Sequence, residues 1–92
     1  MSKYHKLFIQ NPNEYRSVLL NGGEMDVYQR IVERGMTDVT SRDVKQLEKR
    51  WGLEYSSFVL KRLFVKGYLT RSQRQDATGG IYYIYNLADI DD

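Results

Sequence analysis

Thr40-Ser-Arg-Asp-Val-Lys-Gln-Leu-Glu-Lys-Arg-Trp-Gly52, Leu53-Glu-Tyr-Ser-Ser-Phe-Val-Leu-Lys-Arg-Leu-Phe-Val-Lys-Gly67, Tyr68-Leu-Thr-Arg-Ser-Gln-Arg74 and Ile81-Tyr-Tyr-Ile-Tyr-Asn-Leu87 are the phrases that decide the fold. They read as helix, short turn, helix and two-stranded ribbon. Thr40 followed three residues later by Asp43 is a capping box with Asp in place of the usual Glu. Val44, Leu47 and Trp51 form the buried stripe of that helix. Gly52 is expected to end it, because a glycine backbone turns left-handed at low cost. Residues 54–66 make the next helix, with Ser56, Val59, Leu60 and Leu63 at the spacing a buried face needs. Gly67 stops it. Residues 68–74 and 81–87 alternate and are rich in tyrosine and β-branched side chains, so they are strands. The loop between them ends in Gly79-Gly80, which supplies the positive φ angles of a tight hairpin.

Upstream, Asn11-Pro12-Asn13-Glu14 has the form of a helix start: Asn as cap, Pro at the first helical position, Glu three residues after the cap. That helix carries Tyr15, Val18 and Leu19 on one face and is expected to stop at Asn21-Gly22-Gly23. A second begins near Gly23 or Glu24. Its Met25, Tyr28, Ile31 and Val32 share a face, and Gly35 is its stop. Leu7-Phe8-Ile9 is a short apolar run, a strand or an arm, that periodicity does not resolve.

A chain of 92 residues is one domain with a small core, which dimerisation would reinforce. No run approaches the roughly 20 apolar residues of a membrane span. The first residues lack a secretory apolar stretch. There is no cysteine. These features lead us to expect an intracellular, cytoplasmic protein without membrane association. The net charge of +2 conceals an uneven distribution. Between Thr40 and Arg74 nine basic side chains stand against three acidic ones, residues 1–39 balance, and Asp76, Asp89, Asp91 and Asp92 follow without a base. A basic middle suggests a polyanion-binding face.

The phrases Thr40-Ser-Arg-Asp-Val, Leu60-Lys-Arg-Leu63-Phe-Val-Lys-Gly67-Tyr-Leu-Thr-Arg71 and Gly80-Ile-Tyr-Tyr-Ile-Tyr85 together resemble winged helix-turn-helix transcriptional regulators of the MarR-like kind. In size the chain is similar to the small winged-helix proteins of archaeal viruses and plasmids. The resemblance implies an α+β fold of three to four helices with a C-terminal β-hairpin wing. Residues 1–23 would be an N-terminal arm and helix, 24–87 the winged-helix core and 88–92 an acidic tail. It also implies that 36–39 forms a brief strand against the ribbon. The chain lacks the long flanking helices that build the dimer and ligand pocket of MarR-type regulators, so no small-molecule ligand or cofactor is expected.

A helix entering the major groove offers donors to base edges and phosphates, and apolar atoms to thymine methyls. Residues 54–66 offer Tyr55, Ser57, Phe58, Lys61 and Arg62. Lys61 suits a phosphate, Arg62 a phosphate or a guanine edge. Phe58 is either a contact to a thymine methyl or sugar, or an aromatic packed on the helix of Val44 or on a second copy; burial favours the latter. Ser41, Arg42 and Lys45 face flanking phosphates. Arg71, Arg74 and Thr78, with the amides of Gly79 and Gly80, would make the wing contacts. The partners expected are double-stranded DNA and a second copy of the chain.

Catalysis is not expected. His5 is the only histidine, so a His-based acid, base or nucleophile relay is absent. No Cys or His cluster suits zinc, and neither Gly pair resembles a phosphate-cradling loop. Tyr82, Tyr83 and Tyr85 could stack on unpaired bases, but tyrosine is ordinary in a sheet. The alternative function is a winged-helix protein-interaction module of transcription or replication machinery.

Overall fold

The computed structural model describes residues 19–89. Along them run α1 (Gly22–Arg34), α2 (Ser41–Lys45), α3 (Leu53–Val65), β1 (Leu69–Gln75) and β2 (Ile81–Leu87). The architecture is α+β: three helices and one two-stranded antiparallel hairpin. The helix expected from Asn11, the run Leu7-Phe8-Ile9, and Asp91 and Asp92 lie outside the described residues.

Asn21, expected near the end of the preceding helix, caps the start of α1. Its Oδ1 accepts from the Glu24 amide at 2.8 Å, and Glu24 Oε1 accepts from the Asn21 amide at 3.1 Å. This reciprocal box satisfies two backbone donors and fixes the helix start. Gly35, with φ +59°, ends α1 as expected, and the amides of Gly35 and Met36 close back on Val32 and Ile31. The buried face is Glu24, Val27 and Ile31, and Val32 is exposed. The apolar pattern places that face a step too far round, because one buried member is a carboxylate.

The expected strand at 36–39 is reduced to one bridge. Val39 and Tyr85 exchange both backbone hydrogen bonds, each at 2.8 Å. Asp38 prevents a longer ladder: its φ is +49° and its amide donates to Asn86 Oδ1 at 2.8 Å. Asp is among the few residues that adopt this backbone readily.

Thr40 and Asp43 form the predicted capping box of α2. The helix then ends at Lys45, well short of Trp51. A continued helix would give the Leu47 carbonyl to the Trp51 amide. Here Arg30 Nη1 donates to that carbonyl at 2.9 Å, and the Trp51 amide turns tightly onto Glu48 O at 3.0 Å. Gly52 is extended at φ −88° and caps the start of α3, so it is not a left-handed stop. Ser56, Val59, Leu60 and Leu63 form the buried face of α3, as the spacing predicts. Gly67, with φ +87°, terminates it: the Gly67 amide reaches Phe64 O and the Tyr68 amide reaches Leu63 O.

The core lies where α1 and α3 meet the base of the hairpin. Val27, Ile31, Leu60, Leu63, Tyr68 and Tyr85 belong to it, with Val44 and Trp51 closing one side. Tyr28 meets Tyr68 edge-on with ring centroids 5.3 Å apart. The hairpin pairs Leu69 with Leu87, Arg71 with Tyr85, Gln73 with Tyr83 and Arg74 with Tyr82. Side chains alternate along a strand, so Arg71 and Arg74 project from opposite faces of the ribbon.

Candidate nucleic-acid interface

Two sides of α3 remain open to solvent around its buried stripe. Leu53, Glu54, Ser57, Phe58, Lys61 and Val65 are exposed. A groove of about 520 Å³ runs between the starts of α2 and α3 and the hairpin. Ser41, Arg42, Leu53 and Ser57 line it from the helices, and Tyr82 and Tyr83 from β2. The hydroxyls of Ser41 and Ser57 lie 2.6 Å apart and tie the two helix starts together. Leu53, Ser57, Lys61 and Phe64 recur at intervals of four, four and three, so they form one row along α3. The row leaves the groove and ends beneath Arg71.

Arg71 is half-buried. Its guanidinium carbon lies 4.3 Å from the Phe64 ring centroid and 4.2 Å from that of Tyr83. The helix and the far strand thus each place a ring against it. Tyr83 also lines the groove, so Arg71 stands at its margin.

The basic block does not act as a unit. Glu24 is 1% exposed, yet it carries two cations, one from α3 and one from its C-cap: Arg62 Nε at 3.3 Å from Oε2 and Lys66 Nζ at 2.6 Å from Oε1. Lys66 also donates to the Leu19 carbonyl at 2.9 Å. Burial alone would push the Glu24 carboxyl up. The hydrogen bonds from Lys66, the Asn21 amide and Arg62 outweigh it and hold the group below its usual range. On the same flank Arg30 bridges Asp26 and Glu48 at 2.9 and 3.0 Å and lies 4.9 Å from the Trp51 ring centroid. Apart from the i,i+4 pair Asp26–Arg30, these contacts join residues far apart in the chain, so no local motif announces them.

The other candidate residues separate by place. Ser41, Arg42 and Ser57 come together in the groove, and Lys61 extends their side of α3. Lys45 is exposed on α2. Tyr55 is set apart from Ser57: its ring is 5.8 Å from Trp51, and its hydroxyl lies 2.5 Å from where a Cβ on Gly23 would be. Phe58 is 60% exposed, so a single chain does not bury its ring; its position on α3 turns it away from Leu60 and Leu63. The Arg62 guanidinium carbon lies 6.0 Å from the Phe58 ring centroid.

At the hairpin tip Asp76 organises the loop. Its Oδ1 accepts from the Thr78 hydroxyl at 2.7 Å, the Thr78 amide at 3.0 Å and the Gly80 amide at 2.7 Å. The Gly79 amide donates to the Asp76 carbonyl at 3.1 Å. The Thr78 hydroxyl and then the Gly80 amide hold the Asp76 carboxyl below its ordinary range, so the tip bears a negative charge. Thr78 and both glycine amides are therefore already engaged. Arg74 is exposed and bonds its neighbour's carbonyl, Gln73 O, at 3.2 Å.

Among the described residues no group of His, Cys, Asp or Glu is placed to hold a metal ion. No described helix is long and apolar enough to cross a membrane. No protein-family model matches the chain, and no curated protein matches its sequence.

Proposed function

We propose that this protein is a winged-helix regulator of transcription that binds a specific site on double-stranded DNA as a homodimer. In this reading α3 enters the major groove, the hairpin is the wing, and the start of α2 meets the flanking backbone. The supporting observation is the open face of α3: Ser57 and Lys61 stand on it between the Ser41–Arg42 helix start and Arg71. Ser57 supplies a hydroxyl, Lys61 a point charge and Phe58 apolar atoms for a thymine methyl. A second copy would cover apolar surface that one chain leaves open, such as Val65, 67% exposed.

Selection of bound duplexes from a random pool, followed by a salt titration, tests this reading. A palindromic consensus is expected, with half-sites about 10 base pairs apart. Affinity should fall steeply, by on the order of 10³ or more between 50 and 200 mM salt if about six phosphates are contacted. Failure to enrich any sequence, or binding indifferent to salt, would reject it. Sedimentation showing only monomer at micromolar concentration would remove the dimer.

Exposed Phe58 and Val65 on α3, together with the acidic hairpin tip, favour a second reading, a protein-interaction module. Its affinity for a partner would rest on apolar burial and be nearly independent of salt.

A further inference from the structure

We infer that Arg71 is a preorganised receptor for a single phosphate group, and that nucleic acid meets the hairpin at its base beside α3 and not at its tip. This rests on the duplex-binding reading and assigns where the hairpin makes its backbone contact.

The two rings that hold Arg71 each have their centroid within 4.3 Å of its guanidinium carbon. A cation–π contact is not a hydrogen bond to an oxygen acceptor. Among the described residues no carboxylate or carbonyl takes one of those donors. The result is a planar, permanently charged fork whose orientation is fixed before any ligand arrives, the form suited to a tetrahedral oxyanion. Fixing it in advance lowers the ordering cost that a free arginine incurs on binding. Lys61, exposed on the row that ends at Phe64, supplies a second cation on the same side.

Every other arginine on α3 or the hairpin differs in one of these respects. Arg62 has its Nε directed to Glu24. Arg74 lies on the opposite ribbon face, exposed and bonded to the neighbouring carbonyl. The tip opposes a phosphate: its hydroxyl and amides converge on Asp76, and an anion there would meet that carboxylate.

The test uses the full chain and a labelled duplex recovered by the selection above, with affinity measured across a salt series. Arg71→Ala should weaken binding about tenfold and reduce the log–log salt slope by about one. Phe64→Leu keeps the charge and removes one ring; it should weaken binding about threefold and leave the slope at the wild-type value. Thr78→Ala should change neither. Melting curves establish that each variant is folded under assay conditions. An Arg71→Ala protein with wild-type affinity and slope overturns the inference and leaves duplex binding intact, as does a Thr78→Ala loss equal to that of Arg71→Ala. If the wild-type chain binds no duplex, the reading beneath it fails separately. Arg71 is then tested by titrating inorganic pyrophosphate while following arginine Nε–H resonances. A saturable shift at Arg71 ahead of Arg74 supports the receptor, and an unmoved Arg71 signal overturns it.

Discussion

The flank of α3 that meets α1 and the flank that faces the hairpin both gather cations, and they treat them in opposite ways. Toward α1, Lys66 and Arg62 close on the buried Glu24 carboxylate, and Arg30 closes on Asp26 and Glu48. Toward the hairpin, Lys61 and Arg71 have no carboxylate partner among the described residues. A count of positive charges along the chain merges these two populations. The fold separates charges that join helices from charges that remain available to an outside anion.

The largest expected effect comes from breaking the closed side. Lys66→Met leaves Glu24 charged, buried and held only by Arg62 and the Asn21 amide. Loss of one member of a buried pair costs about 3–5 kcal/mol; with Arg62 still present, the expected loss is about 2–3 kcal/mol. Denaturant titration measures it. A loss below about 0.5 kcal/mol, typical of an exposed surface site, would show that the seam is not held by this cluster.

Arg30→Ala should cost less than Lys66→Met, because Arg30 is half-exposed and its carboxylate partners can return to water. It also uncovers one face of Trp51, the only tryptophan. The native emission should shift to the red as stability falls. An unchanged spectrum would place Trp51 elsewhere than under Arg30.

Acid should act through the same side. The Glu24 carboxyl lies below its unfolded value in the folded chain, so it binds its proton less readily when folded. Its contribution is present above the ordinary carboxylate range and is lost as pH falls through the depressed value. Stability measured downward from pH 5 should therefore decline, and Glu24→Gln should decline less steeply over the same interval. Parallel curves for the two proteins would remove Glu24 as a source of acid sensitivity.

Much of this fold was legible from local rules. Capping of α2 by Thr40 and Asp43, the buried stripe of α3, and the glycine stops at Gly35 and Gly67 each depend on residues within a turn of one another. Where the outcome depended on a distant partner, the pattern was incomplete. Trp51 looked helical until Arg30 took the Leu47 carbonyl. Asn21 and Glu24 are a local case: three residues apart, they form the reciprocal cap that starts α1. The candidate interface was legible in the same partial way. Ser41, Arg42, Ser57 and Lys61 follow from helical position. The seam that binds Arg62 and the carboxylate that occupies Thr78 depend on tertiary and loop geometry.

The smallest expected change in stability is the sharpest use of the comparison. Lys61 and Lys66 are the same residue type on and just beyond one helix, and differ in what faces them. Lys61→Ala removes an exposed side chain without a described partner, so stability should move by less than about 0.5 kcal/mol. If Lys61 meets a phosphate, the same change should weaken duplex binding a few-fold and reduce the salt slope by roughly 0.9. Lys66→Met, measured at a temperature where it remains folded, should leave that slope alone, since its ammonium already belongs to Glu24. A Lys61→Ala protein with the wild-type slope, or a Lys66→Met protein with a reduced one, would erase the distinction between the two flanks of α3.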